Sequence, residues 1–228
     1  MPDIAVRRLD FGYFVRPAEE TGTGSPRVEA CLGYLVEHPD GVLLFDTGMG
    51  ARPDVDAHYR PRRIELNAAL TAIGFRLDQV SQVTNCHLHF DHCGGNPLIG
   101  DRPVFVQAVE LSTAMATPDY TLPLLIEGRH YAELAGETEV LAGVFLIPTP
   151  GHTDGHQSLV VRRSDGNLIV AGQSHDTATA YSADVLSWRG HRDQHAQPLP
   201  LPPQWIARLQ DFDPRAVFFA HDHAVWTP

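Results

Sequence analysis

Lysine is missing from this chain of 228 residues: all 17 basic side chains are arginine. A Schiff-base nucleophile, a phosphate-loop lysine and a serine–lysine dyad are therefore excluded, because each needs a primary amine. Cations are also outnumbered. With 28 acidic residues the formal net charge is -11, so a nucleic-acid partner, which requires clustered cations against phosphates, is not expected.

Cysteine is equally sparse. Cys31, Cys86 and Cys93 form an odd set without C-x-x-C spacing, so neither a disulfide framework nor a structural zinc knuckle is indicated. They read as small buried hydrophobes, with a supporting or redox-sensitive role open for Cys86 and Cys93, which flank the histidine cluster described below. No apolar run approaches the roughly 20 residues of a membrane span, and Met1 to Arg8 lacks the apolar core of a signal peptide. The expectation is a cytoplasmic protein without a membrane partner. Its length suits one domain, residues 1–228, with one buried core.

Histidine, by contrast, is concentrated. The stretch Cys86-His87-Leu88-His89-Phe90-Asp91-His92-Cys93-Gly94-Gly95-Asn96 places three imidazoles and a carboxylate within six positions. His87 and His89 are two apart, so on an extended segment they project from one face and could grip one ion, while Asp91 and His92 offer a second ion a separate pair. Gly94 and Gly95 suit a tight bend with backbone close to the site. Asn96-Pro97 suits a chain entering a new element.

Three more strand ends carry ligand-type side chains. His152 in Thr149-Pro150-Gly151-His152 follows the apolar run Val144 to Ile147. His221 and His223 follow Ala216 to Ala220. Leu168 to Ala171 ends in Gly172-Gln173-Ser174-His175-Asp176. A site built along one edge of a sheet needs this distribution.

The pattern H-x-H-x-D-H, then T-P-G-H-x-x-G-H, then a last histidine after a C-terminal strand resembles the metallo-β-lactamase superfamily. Within it the wording HLHFDHCGGN, TPGHTDGHQSL and FFAHDHAVW is most similar to the N-acyl-homoserine lactone lactonases, over nearly the whole chain. The resemblance implies His87, His89 and His152 on one metal and Asp91, His92 and His221 on the other, with a hydroxide between them that attacks an ester-like bond. Asp46 of D-T-G and His156 would orient these ligands, His223 more weakly. Two divalent ions are expected, zinc by the preponderance of neutral imidazole, although iron, manganese or cobalt would also suit nitrogen and oxygen donors.

The sequence departs from the lactonases at two positions. Gln173 stands where they carry a metal-bridging Asp, and Asp176 where they carry a Tyr directed at the substrate. Gln173 is taken as the residue at the metal position, and Asp176 with Asp91 as the catalytic carboxylates; His175 or Asp176 would have to supply the missing charge. The function implied is opening of a lactone, an N-acyl-homoserine lactone first. Alternatives are a thioesterase, another carboxylic-ester hydrolase, or a weakly active metal-binding member. The partner is a small-molecule substrate, and homodimerisation is open.

The expected fold is a four-layer αββα sandwich. Strands are expected at Ile4 to Leu9, Cys31 to Val36, Val42 to Phe45, Val80 to Thr84, Val104 to Val106, Val144 to Ile147, Ser158 to Val161, Leu168 to Ala171 and Ala216 to Phe219. Helices are expected at Ile64 to Ile73, with Ile64, Ala68, Ala69 and Ile73 inward, at Ala108 to Met115 and at Pro203 to Asp211. Thr117 to Glu139 is read as an irregular lid or wall of the substrate pocket, and Ser187 to Pro203 as a long connection whose His191 and His195 lie at the surface or pocket rim.

Overall fold

The computed structural model describes residues 4–117, 119–121, 123–126, 130–195 and 198–228. Two sheets carry the architecture. The first contains Ala5–Arg16 (β1), Arg27–His38 (β2), Gly41–Phe45 (β3), Arg62–Arg63 (β4), Gln82–Thr84 (β5), Val104–Gln107 (β6) and Tyr131–Leu134 (β7), in the order β4-β1-β2-β3-β5-β6-β7. The second contains Thr138–Leu141 (β8), Val144–Pro148 (β9), Gln157–Val161 (β10), Asn167–Val170 (β11) and Pro214–Phe218 (β12), in the order β12-β11-β10-β9-β8. The helices are Pro53–Tyr59 (α1), Leu66–Ala72 (α2), Ala108–Ala116 (α3), Pro123–Ile126 (α4), Ala178–Arg192 (α5) and Trp205–Gln210 (α6).

Alternation along the strands produces the layering, because successive side chains point to opposite faces. Leu43 and Phe45 enter the core between the sheets with Val144, Leu146, Leu159 and Val161. Leu44, between Leu43 and Phe45, faces outward onto Leu66, Ala69 and Leu70 of α2. On the far side Val160, Ile169 and Val217 meet Tyr181 and Val185 of α5 and Ile206 and Leu209 of α6. The result is the expected αββα sandwich.

Several expectations are corrected. The helix after the first sheet's edge begins at Leu66 rather than Ile64, and its inward face is Leu66, Ala69 and Leu70, whereas Ile64 and Ala68 are exposed. Ile64 instead donates its N–H to the Phe11 carbonyl, extending the β1–β4 pairing. Residues 178–192 form a helix, so the connection after it is shorter than expected; Thr177 caps α5 by accepting from the Ala180 N–H at 3.1 Å. Thr117 to Glu139 contains α4, β7 and the start of β8. Pro118, Leu122 and residues 127–129, Gly128 among them, lie outside the described residues, as do Met1 to Asp3.

Strand direction places the site. β3 and β5 run parallel, as do β11 and β12. The loops leaving their C-terminal ends hold Asp46, the histidine cluster, Gln173 and His221, and the β9–β10 loop adds His152. Across the join, Leu32 donates its N–H to the Ala220 carbonyl and Ala220 donates to Gly172, both at 2.9 Å.

Candidate metal centre

The loop after β5 is held by backbone hydrogen bonds to the loop after β3. Thr47 N–H donates to the His92 carbonyl at 2.8 Å, Gly94 N–H to Gly48 at 2.7 Å and Gly50 N–H to Phe90 at 2.6 Å. This pairing requires Gly94, where a Cβ would lie 2.0 Å from the Gly50 nitrogen. Asp46, at φ 65, accepts the Cys86 N–H on one carboxylate oxygen at 2.8 Å and approaches His92 Nδ1 at 3.0 Å with the other. A left-handed aspartate thus orients both the loop and one imidazole, the role expected of it.

Among the described residues, His87, His89 and His152 form one donor set and Asp91, His92 and His221 another, and Cys86 with His87 and His92 makes a third grouping that spans them; within each the donor atoms lie within 4.8 Å of one another. His87 Nε2 is 2.9 Å from His89 Nδ1, which is 3.2 Å from His152 Nε2. Burial pushes all three imidazoles down, His87 well below its usual range, His89 to about 4 and His152 to about 3, and the neighbouring histidines add to the effect. Near neutral pH their lone pairs converge, an arrangement a shared cation satisfies.

The second set contains a buried, unpaired atom. His221 donates from Nδ1 to the Ala30 carbonyl at 2.7 Å, which leaves Nε2 as the acceptor nitrogen. That Nε2 is buried without a hydrogen-bond partner, 3.4 Å from an Asp91 carboxylate oxygen. Burial opposes ionisation of Asp91, but His92 and His221 override it and hold the carboxyl well below the usual carboxylate range. Burial likewise opposes charge on His92, yet Cys86, Asp91 and Asp46 raise it well above the usual imidazole value. Nitrogen and carboxylate donors with an orphaned lone pair fit a divalent cation.

Supporting groups surround both sets. Cys86 Sγ lies 3.1 Å from His87 Nδ1 and 3.2 Å from His92 Nδ1, so it contacts one imidazole of each set, and burial pushes this thiol up to about 12. Burial also raises Cys93 to about 12, and its thiol donates to the His89 carbonyl. His156 Nδ1 contacts Thr149, and its Nε2 accepts the Gln173 N–H at 3.0 Å. Gln173 is 3% exposed, with Oε1 3.1 Å from His92 Nε2.

Other expected residues lie elsewhere. Asp176 belongs to neither donor set and pairs with Arg27 at 2.6 Å. His175 turns toward α5, 2.8 Å from Asp184. His223 is exposed, and neither His191 nor His195 lines the cavity above the centre.

Glu110 on α3 carries a role the sequence did not signal. This buried carboxylate accepts the Leu88 N–H at 2.7 Å, the Thr153 hydroxyl at 2.7 Å and the Tyr120 hydroxyl at 2.8 Å. It joins the loop carrying His87 and His89 to the loop carrying His152. One glutamate in Ala108-Val109-Glu110-Leu111 looks like any helical acidic residue.

A cavity of about 190 Å³ opens over the centre. His89, Asp91, His152 and Gln173 line its floor side, Phe14, Val55, Tyr59 and Phe90 an aromatic and aliphatic side, and Asp119, Tyr120 and Thr121 the wall expected from the irregular segment. Arg16 also lines it, with Nε and Nη2 each 2.7 Å from the buried Glu29.

An αββα sandwich with two adjoining donor sets at its strand ends has the architecture of a metal-dependent hydrolase. The metallo-beta-lactamase superfamily model matches residues 26–221. An N-acyl homoserine lactonase of Bacillus cereus is 30% identical over 208 residues, covering 83% of this chain and 80% of that protein. A solved N-acyl homoserine lactone hydrolase with N-hexanoyl-L-homoserine at its catalytic metal centre superposes with a TM-score of 0.72 at 22% identity, covering 98% of this chain and 94% of that one. AidC, a dizinc quorum-quenching lactonase, gives 0.66 at 16% identity, covering 97% and 88%. The chain belongs to the metallo-β-lactamase superfamily, and it is a hydrolase.

Proposed function

We propose that the chain opens a lactone ring, with an N-acyl-homoserine lactone as the first substrate to test. The carrying observation is the position of the two donor sets beneath a cavity with one apolar side. His87, His89 and His152 would hold one zinc ion and Asp91, His92 and His221 a second. A pair of such ions supplies a nucleophile from water at neutral pH and polarises a carbonyl.

The protein's own groups do the rest. Phe14, Val55, Tyr59 and Phe90 exclude water and seat an acyl chain. Asp91 holds its charge against burial and orients His92 and His221. Tyr59 and Tyr120 have their hydroxyls engaged by Glu20 and Glu110, and the two cavity guanidiniums, Arg16 and Arg52, have Nε and Nη2 paired with Glu29 and Asp54, so it is their Nη1 groups that are assigned to the substrate's carbonyl or the product's carboxylate. The Bacillus cereus relative supports the lactone assignment.

Gln173 and Asp176 keep a second reading in view, because a thioester or open ester would meet the same floor. Proton release from a panel of acyl-homoserine lactones, simple lactones, thioesters and aryl esters separates the two. Turnover of thioesters with none of lactones would overturn the lactonase proposal, while a zinc-loaded protein inert on the whole panel would favour a metal-binding role.

A further inference from the structure

The two donor sets together contain one carboxylate, Asp91; the other five side chains are histidines. Two dications side by side repel one another, and an anion placed between them offsets that repulsion. Gln173 stands at the floor of the cavity beside His92 but brings no charge. Nearby charges do not substitute for it. Asp176 Oδ2 accepts from Arg27 Nη2 at 2.6 Å, Arg27 Nε donates to Glu29 Oε1 at 2.7 Å, and Glu29 also takes both prongs of Arg16. Two guanidiniums and two carboxylates close this row at zero net charge.

The row nevertheless directs the amide. Gln173 N–H is fixed on His156 Nε2 at 3.0 Å, and its side-chain Nε2 donates toward Asp176 Oδ1 at 3.4 Å. With the NH₂ turned to Asp176, Oε1 faces His92 Nε2 at 3.1 Å. His92 Nδ1 is engaged by Asp46, so His92 Nε2 is the nitrogen available to a metal, and the amide oxygen lies beside that nitrogen.

We propose that Gln173 is a neutral oxygen ligand to the ion held by Asp91, His92 and His221, oriented by Asp176 and Arg27. The centre then loads in two unequal steps. The first zinc would bind to an uncharged or singly negative donor set, and the second against the first ion's field without a bridging carboxylate from the protein. This inference rests on the reading of the centre as a two-ion site and is independent of which ester is cleaved.

The test withdraws zinc from the loaded full-length protein with buffers of graded free zinc and counts the ions retained per chain, with circular dichroism confirming the fold of each variant. Wild type should release one ion at free zinc at least about tenfold higher than the other. Gln173→Asp should draw the weaker step toward the stronger by at least about tenfold, a conservative share of what one unit charge at about 3.5 Å delivers at an effective dielectric of about 20 to 40. Gln173→Ala should weaken that step further. Asp176→Asn should change it less than Gln173→Ala does, because Asp176 only orients the amide.

Two equally tight ions in wild type would overturn the proposal, as would a weak step that Gln173→Asp leaves unmoved. If Asp176→Asn alone abolished the weaker step, Asp176 and not Gln173 would be the missing ligand. One ion in wild type and two in Gln173→Asp support the proposal, and one ion in both refutes it. The substrate panel can fail while these titrations hold, so the two readings fall separately.

Discussion

Glu110→Ala isolates the residue that ties the two histidine loops together. The substitution removes an acceptor used by three donors, of which two, the hydroxyls of Tyr120 and Thr153, can turn toward water or other oxygens. The third cannot. Leu88 is fully buried, and its N–H points at Glu110 from between His87 and His89. An orphaned buried N–H costs about 1–3 kcal/mol and each lost bond to a charged acceptor about 1.5–3, against which the relieved burial of a carboxylate is credited. A net loss of about 3 kcal/mol is expected, a large share of a stability of roughly 5–15. Glu110→Gln keeps the oxygen that serves Leu88 and Tyr120 and lets Thr153 accept rather than donate, so about 1 kcal/mol is expected. Urea unfolding of the metal-free protein measures both, and zinc retained after dialysis should fall in Glu110→Ala because all three imidazoles of one set lose their common support. An alanine variant within about 0.5 kcal/mol of the parent and fully loaded with zinc would refute the reasoning.

His89→Ala and His152→Ala should each abolish turnover and reduce bound zinc, since each removes one of three nitrogens from a set; near-normal metal and rate in either would misplace the site. Asp91→Asn should cut activity far more than stability, and a pH–rate profile identical to the parent's would remove Asp91 from the mechanism. The metal-free protein should lose stability as pH falls from about 7 to 4. His87, His89, His152, His156 and His221 are all held below their ordinary value in the folded state, so the unfolded chain takes up protons first; only His92, raised, works the other way. A urea midpoint that rose on acidification would contradict that balance.

The candidate donor residues are legible in the sequence because their chemistry is local. His87, His89, Asp91 and His92 share six positions, and each remaining donor follows an apolar run, so strand ends could be located without knowing how strands pair. The αββα layering followed from strand alternation and the superfamily resemblance together. What failed has a common physical cause. The helical spacing of Ile64 and Ala68 does not mark the buried face, because Ile64 is taken by sheet pairing with Phe11, a contact between residues far apart in sequence. α5 escaped notice because its inward residues, Tyr181 and Val185 among them, are diluted by Thr, Ser, Asp, Gly and His on an exposed face. Glu110 escaped because its three donors come from positions 88, 120 and 153, and no local pattern marks their meeting.

The same contrast explains why Gln173 and Asp176 looked ambiguous as letters and become specific in space. From sequence, Asp176 three residues on could have replaced the carboxylate absent at Gln173. In the fold, the strand pair β1–β2 brings Arg27 alongside, and that guanidinium captures Asp176 before it reaches either donor set. Arg16 and Arg27 flank Glu29 on the paired ends of β1 and β2, so the arginines are committed in turn. Charge balance around Gln173 is thus closed by residues distant in the chain, and what reaches His92 is an amide oxygen whose direction is set but whose charge is zero. The nitrogen donors and the cavity are kept, and on the proposed two-ion reading the property that Gln173 sets is the affinity of the second ion.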